Sequence, residues 1–138
     1  MKKLLIAVLA FGIMIGSAQA ETIGTVATKG IFFKDHVTVE AFDDPTISGV
    51  TCYTTIHSRA MSFTGSSSVS LSCRKTGPIK GKLVSMSNVF SRHKNFFFKQ
   101  TVVDRFYDAR RGVLVYLTYT KASGGKNNSH SISVVTVR

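Results

Sequence analysis

Acid is scarce in this chain. Seven Asp and Glu stand against 18 Lys and Arg, for a formal charge of +11. From Pro45 to Val103 there is no acid, while the same stretch carries Arg59, Arg74, Lys75, Lys80, Lys82, Arg92, Lys94 and Lys99. A run of one sign builds a local potential that draws anions, although solubility alone would also account for it. Cysteine is scarce too: only Cys52 and Cys73, too far apart for a C-x-x-C redox motif. His36, His57, His93 and His130 show neither H-x-x-x-H nor H-x-H spacing, so no metal site is expected. The serines of 66–72 lack the G-x-S-x-G elbow of a nucleophile. There is no internal repeat. The one long apolar run, Leu4 to Ile15, is short of the roughly 20 residues that span a bilayer. No catalytic constellation remains, and the expectation is a protein that is not an enzyme and needs no cofactor.

What is present begins at the N-terminus. Lys2 and Lys3 precede the apolar run, and Ala18 and Ala20 then form an A-x-A pattern before Glu21. This is the layout of a secretory signal peptide, residues 1–20, cleaved after Ala20. A periplasmic protein of one domain, residues 21–138, is expected. Such a location excludes ATP-driven chemistry, cytosolic metabolism and direct control of a promoter. Losing Lys2 and Lys3 lowers the +11 of the full chain to +9. No cysteine follows the cleavage site, so no lipid anchor is expected there. In an oxidising compartment Cys52 and Cys73 should form a disulfide, closing a loop of about 20 residues for roughly 3 kcal/mol.

The remainder reads as β. Strand candidates are 22–27, 37–42, 50–56, 69–73, 96–107, 113–120 and 131–137, with 83–90 ambiguous. In 37–42, Val37, Val39 and Ala41 share a face opposite polar residues. About seven or eight short strands separated by turn residues predict a mainly β, single-domain antiparallel sandwich or barrel-like sheet. Asp44, Pro45 and Gly49 are placed to cap, start and end one short helical turn near residues 45–48. Asp108 and Gly112 bracket a hairpin turn. Residues 62–68 and 123–128 read as flexible loops.

Few residues group into anything site-like. Asp43 and Asp44 could be paired acids, but adjacent side chains diverge and the proline context explains them as caps. Arg105 and Tyr107 fall on one face of a strand with Asp108 beside them, an arrangement able to hold a small anion through bidentate hydrogen bonds. The plainer alternative pairs Arg105 with Asp104 or Asp108. Phe96, Phe97 and Phe98 between Lys94 and Lys99 mix rings and cations, as nucleic-acid and membrane surfaces do. Core packing explains the rings better, and no nucleic-acid partner is expected.

The segment Glu40-Ala41-Phe42-Asp43-Asp44-Pro45, then Val50-Thr51-Cys52-Tyr53, resembles the CreA family of small exported bacterial proteins. The likeness continues through Cys73, Gly77-Pro78-Ile79, Arg105-Phe106-Tyr107-Asp108-Ala109 and Val113 to Tyr119. It implies a periplasmic protein without an assigned biochemical role. The functional expectation is therefore a non-enzymatic binding or accessory protein of the cell envelope, acting through a basic surface of Lys75, Lys80, Lys82, Arg92, Lys94 and Lys99. Its partner would be an envelope protein or an anionic envelope surface. The alternative is a small-ligand binder or sensor with an anion-holding pocket near Arg105 and Tyr107.

Overall fold

A computed structural model describes residues 19–28, 35–58, 68–93, 100–121 and 129–138. Residues 1–18 of the expected signal peptide 1–20, most of the 62–68 loop, Lys94, Phe96 to Phe98, Lys99 and the 123–128 loop lie outside the described residues, and Arg59 with them.

Eight strands form two four-stranded antiparallel sheets. The first sheet holds β1 (Glu21–Ala27), β2 (His36–Asp43), β3 (Ile47–Ser58) and β4 (Val69–Gly81) in sequence order. The second holds β5 (Met86–His93), β6 (Gln100–Asp108), β7 (Val113–Lys121) and β8 (His130–Thr136), also in sequence order. Each sheet is an open meander, and the two pack as a sandwich. The expected helical turn at 45–48 is not there: the described residues hold no helix. Asp44 to Thr46 make a tight bend instead, and β3 starts at Ile47. The Asp44 carboxylate accepts from the backbone N–H of Thr46 and of Ile47, both at 3.0 Å. That satisfies the two donors a helix would have needed capped, with no helix following. Gly49 sits at φ +90° where β3 bulges against β4, and a Cβ there would run into the backbone of Gly77 and Pro78.

The core lies between the sheets. Phe42 of β2 stacks flat on Phe90 of β5, ring centroids 4.2 Å apart. Around them pack Ile47, Val50, Val89, Val103, Leu114 and Val135. Cys52 and Cys73 are directly opposed on β3 and β4 and form the disulfide. On β2 the inward residues include Glu40 and Phe42, whereas Val37 and Val39 are only partly buried. Of the face shared by Val37, Val39 and Ala41, Ala41 alone is buried. Glu40 is tolerated inside because Arg92 of β5 reaches across to it at 3.0 Å.

The two sheets also meet along β4 and β8. Ser129 Oγ accepts from Val69 N–H at 3.0 Å, and Ser133 Oγ accepts from Cys73 N–H at 2.8 Å. Both pairs are 60 residues apart, so β4 and β8 run in the same direction. Serine hydroxyls here take the place of a peptide ladder and satisfy edge amides that would otherwise be orphaned.

Candidate functional site

The most elaborate polar group in the molecule is centred on Asp44, at the bend leading into β3. Arg105 of β6 reaches it from the opposite sheet, with Nη1 2.7 Å from both carboxylate oxygens. Tyr116 of β7, paired with Arg105 in register, donates its O–H to Oδ2 at 2.7 Å. Arg105 also donates through Nε to the Val84 carbonyl at 3.0 Å and through Nη1 to Thr46 Oγ1 at 2.9 Å. Asp44 thus accepts from two backbone amides, a guanidinium and a phenol. Arg105 is 1% exposed. Burial, then the bond to Asp44, holds the Tyr116 hydroxyl far above its ordinary pKa.

This overturns the pairing of Arg105 with Asp104 or Asp108. Asp108 pairs with Arg111 at 2.9 Å within its own hairpin, and that hydrogen bond holds its carboxyl below the usual range. Asp104 takes the Asn88 amide at 2.7 Å and the Tyr119 hydroxyl at 3.0 Å. Burial and the bond to Asp104 raise the Tyr119 pKa. It also removes the basis for an anion pocket. Tyr107 does share the inward face with Arg105, but packs against the core, and Phe106 points outward as alternation requires. Arg105, Tyr107 and Asp108 therefore do not converge: a guanidinium already neutralised inside the protein has little left for an incoming anion. The cap reading of Asp44 is right in kind and incomplete in extent. No local signal could have paired residues 61 apart in sequence.

The basic candidates separate as well. Lys75, Lys80 and Lys82 are exposed on or just after β4, with Arg74 beside them, and none has an ion pair among the described residues. Arg92 is half exposed and committed to Glu40. It lies level with Glu40, whose neighbours across the first sheet are Thr54 and Leu71. Nine strand residues, or roughly 30 Å, separate Leu71 from Lys80 along β4. Lys75 is only four residues, about 13 Å, from Leu71, so what sets Arg92 apart is its commitment to Glu40. Lys94 and Lys99 lie outside the described residues.

Two buried oxygens, Glu40 Oε2 and Thr118 Oγ1, lack a hydrogen-bond partner among the described residues. Among those residues no set of three His, Cys, Asp or Glu comes together as a metal site would need, and no helix is long and apolar enough to cross a membrane.

Comparison with known proteins fits this architecture to one family. No solved structure matches. Protein CreA of three Escherichia coli strains is 36% identical over 141 residues, covering 91% of this chain and 89% of the relative. The model of the CreA protein family matches residues 23–138, which takes in all of β2 to β8 and most of β1. On both grounds the chain belongs to the CreA family.

Proposed function

We propose that this CreA family member is an exported, non-enzymatic binding or accessory protein of the cell envelope, and that it works through the exposed cations of β4. The observation that carries this reading is their freedom: Arg74, Lys75 and Lys80 on β4 and Lys82 just after it have no ion pair among the described residues. Unpaired surface cations held on a rigid strand raise the encounter rate with an anionic surface without first breaking internal pairs. Export is supported by the signal pattern of residues 1–20 and by the disulfide, which persists in oxidising compartments. The small-anion reading has lost its main residue, because Arg105 serves Asp44.

The test is co-sedimentation of the exported protein with vesicles of phosphatidylcholine and phosphatidylglycerol in a 3:1 ratio. Binding is expected at physiological salt and is expected to vanish at about 0.5 M, where the screening length is only a few ångströms. The combined variant Lys75→Glu, Lys80→Glu, Lys82→Glu should bind at least about tenfold less, each cation contributing about 1 kcal/mol near an anionic lipid. Binding that ignores salt, or no binding to begin with, refutes the electrostatic mechanism.

A further inference from the structure

The second sheet is apolar on both faces. Toward the core, β7 and β8 present Leu114 and Val135 beside Tyr116, Thr118, Thr120, Ser131 and Ser133; of these Tyr116 serves the Asp44 cluster and Ser133 the seam with β4. Toward solvent, the same sheet presents Phe106, Val113, Val115, Leu117, Ile132 and Val134. Phe106 is 48% exposed, Ile132 58% and Val134 52%. The register makes these residues contiguous: Phe106, Val115 and Val134 form one cross-strand row, with Leu117 and Ile132 in the next. An antiparallel sheet packed on one side normally keeps its polar residues outside. A contiguous apolar solvent face of this kind is one that something else covers.

Charge says what. At the hairpin end of this raft lie Arg110 and Arg111, and Lys121 lies at the far end of β7. The two acids of this sheet are already engaged, Asp108 by Arg111 and Asp104 by Asn88 and Tyr119. A second copy laid face to face would bring cation against cation in either orientation. With strands about 4.8 Å apart, the raft offers on the order of 300 Å², against roughly 800 Å² per partner in a stable interface. We propose that the outer face of β6, β7 and β8 docks an acidic amphipathic segment of another protein. Its apolar side would cover Phe106, Val115, Ile132 and Val134, and its carboxylates would reach Arg110 and Lys121. The exposed apolar rows run from Val113 to Leu117, about 16 Å, the length of a helix of about 11 residues. This surface is separate from the β4 cations and does not depend on them.

The experiment uses the full chain, exported in cells, with photoreactive benzoylphenylalanine replacing Ile132, and in a control replacing Tyr53 on the outer face of the first sheet. Position 132 is expected to give a protein adduct that position 53 does not. The cross-linked peptide should carry apolar residues on one side and acids on its flanks. Made synthetically, that peptide should bind the purified protein, at least tenfold more weakly for Val134→Asp or Phe106→Ser, and again for the pair Arg110→Glu, Lys121→Glu. Lys80→Glu with Lys82→Glu should leave its binding unchanged, which keeps this proposal distinct from the β4 reading. Adducts with a second copy, adducts with lipid, a basic peptide, or no adduct above the Tyr53 control each overturn it. Denaturation curves that match the parent protein would show that the variants are folded.

Discussion

Arg105→Ala would leave the Asp44 carboxylate buried without its cation. Losing one partner of a buried pair costs about 3–5 kcal/mol, which urea denaturation should register as a fall in midpoint with little change in slope. If Arg105 were instead a ligand residue, its removal would leave stability nearly untouched. Tyr116 carries a signature in pH. Its folded pKa is raised above the ordinary value of about 10, so the folded chain keeps a proton that the unfolded chain gives up. Stability from this group is whole below pH about 10 and declines as pH rises beyond it. Tyr119 adds to the same slope. Tyr116→Phe should lower stability at neutral pH by about 1.5–3 kcal/mol, the worth of a hydrogen bond to a charged group, and flatten most of the alkaline decline. Denaturation midpoints at several pH values check both. Asp108 acts in the opposite direction: its pKa is depressed, so its contribution is present above the carboxylate range and is lost as pH falls through it.

β4 carries more duties than any other strand. It pairs with β3, holds the disulfide, takes hydroxyls from β8 and bears the free cations. Removing the cross-link with Cys52→Ala and Cys73→Ala should cost about 3 kcal/mol for a loop of this length, read as a lowered Tm. Ser133→Ala strips the acceptor from the Cys73 amide, and a buried amide left unpaired costs about 1–3 kcal/mol. Faster hydrogen exchange at that amide, with β1 unaffected, would place the loss at the seam. The alternation of β8 could be read from its sequence, but not which side faced inward. Ser131 and Ser133 look like the solvent side beside Ile132 and Val134. Ser133 turns inward to give the Cys73 amide of β4 its acceptor, a demand made by another strand, and alternation carries Ser131 to the same side.

Across the whole molecule the two sheets are fastened three times over: by Asp44 with Arg105 and Tyr116, by the Phe42–Phe90 stack with Glu40–Arg92, and by the serine seam. Ties this evenly placed should make unfolding a single cooperative transition. Tyrosine fluorescence and far-ultraviolet circular dichroism should therefore trace the same curve, and two separate transitions would mean that the sheets fold independently. The distribution of charge follows from the same arrangement. Cations that look like one run in sequence are put to different uses, with Arg92 spent on a buried glutamate, while Lys75 and Lys80 on β4 and Lys82 just after it have no ion pair among the described residues.

By itself the sequence determined the strand-rich class, the hairpin at Asp108–Gly112, the likeness to one family and, through two lone cysteines, the disulfide. These rest on local pattern or on simple counting, which needs no knowledge of what faces what. Tertiary structure decided the rest. Asp44 became the centre of an ion pair and not the cap of a helix, because Arg105 arrives from a strand 61 residues away. The buried side of β2 and the apolar outer side of β8 were fixed by which sheet lay opposite. A side chain's partner across a sandwich is set by register and packing, and neither is written in the alternation of any one strand.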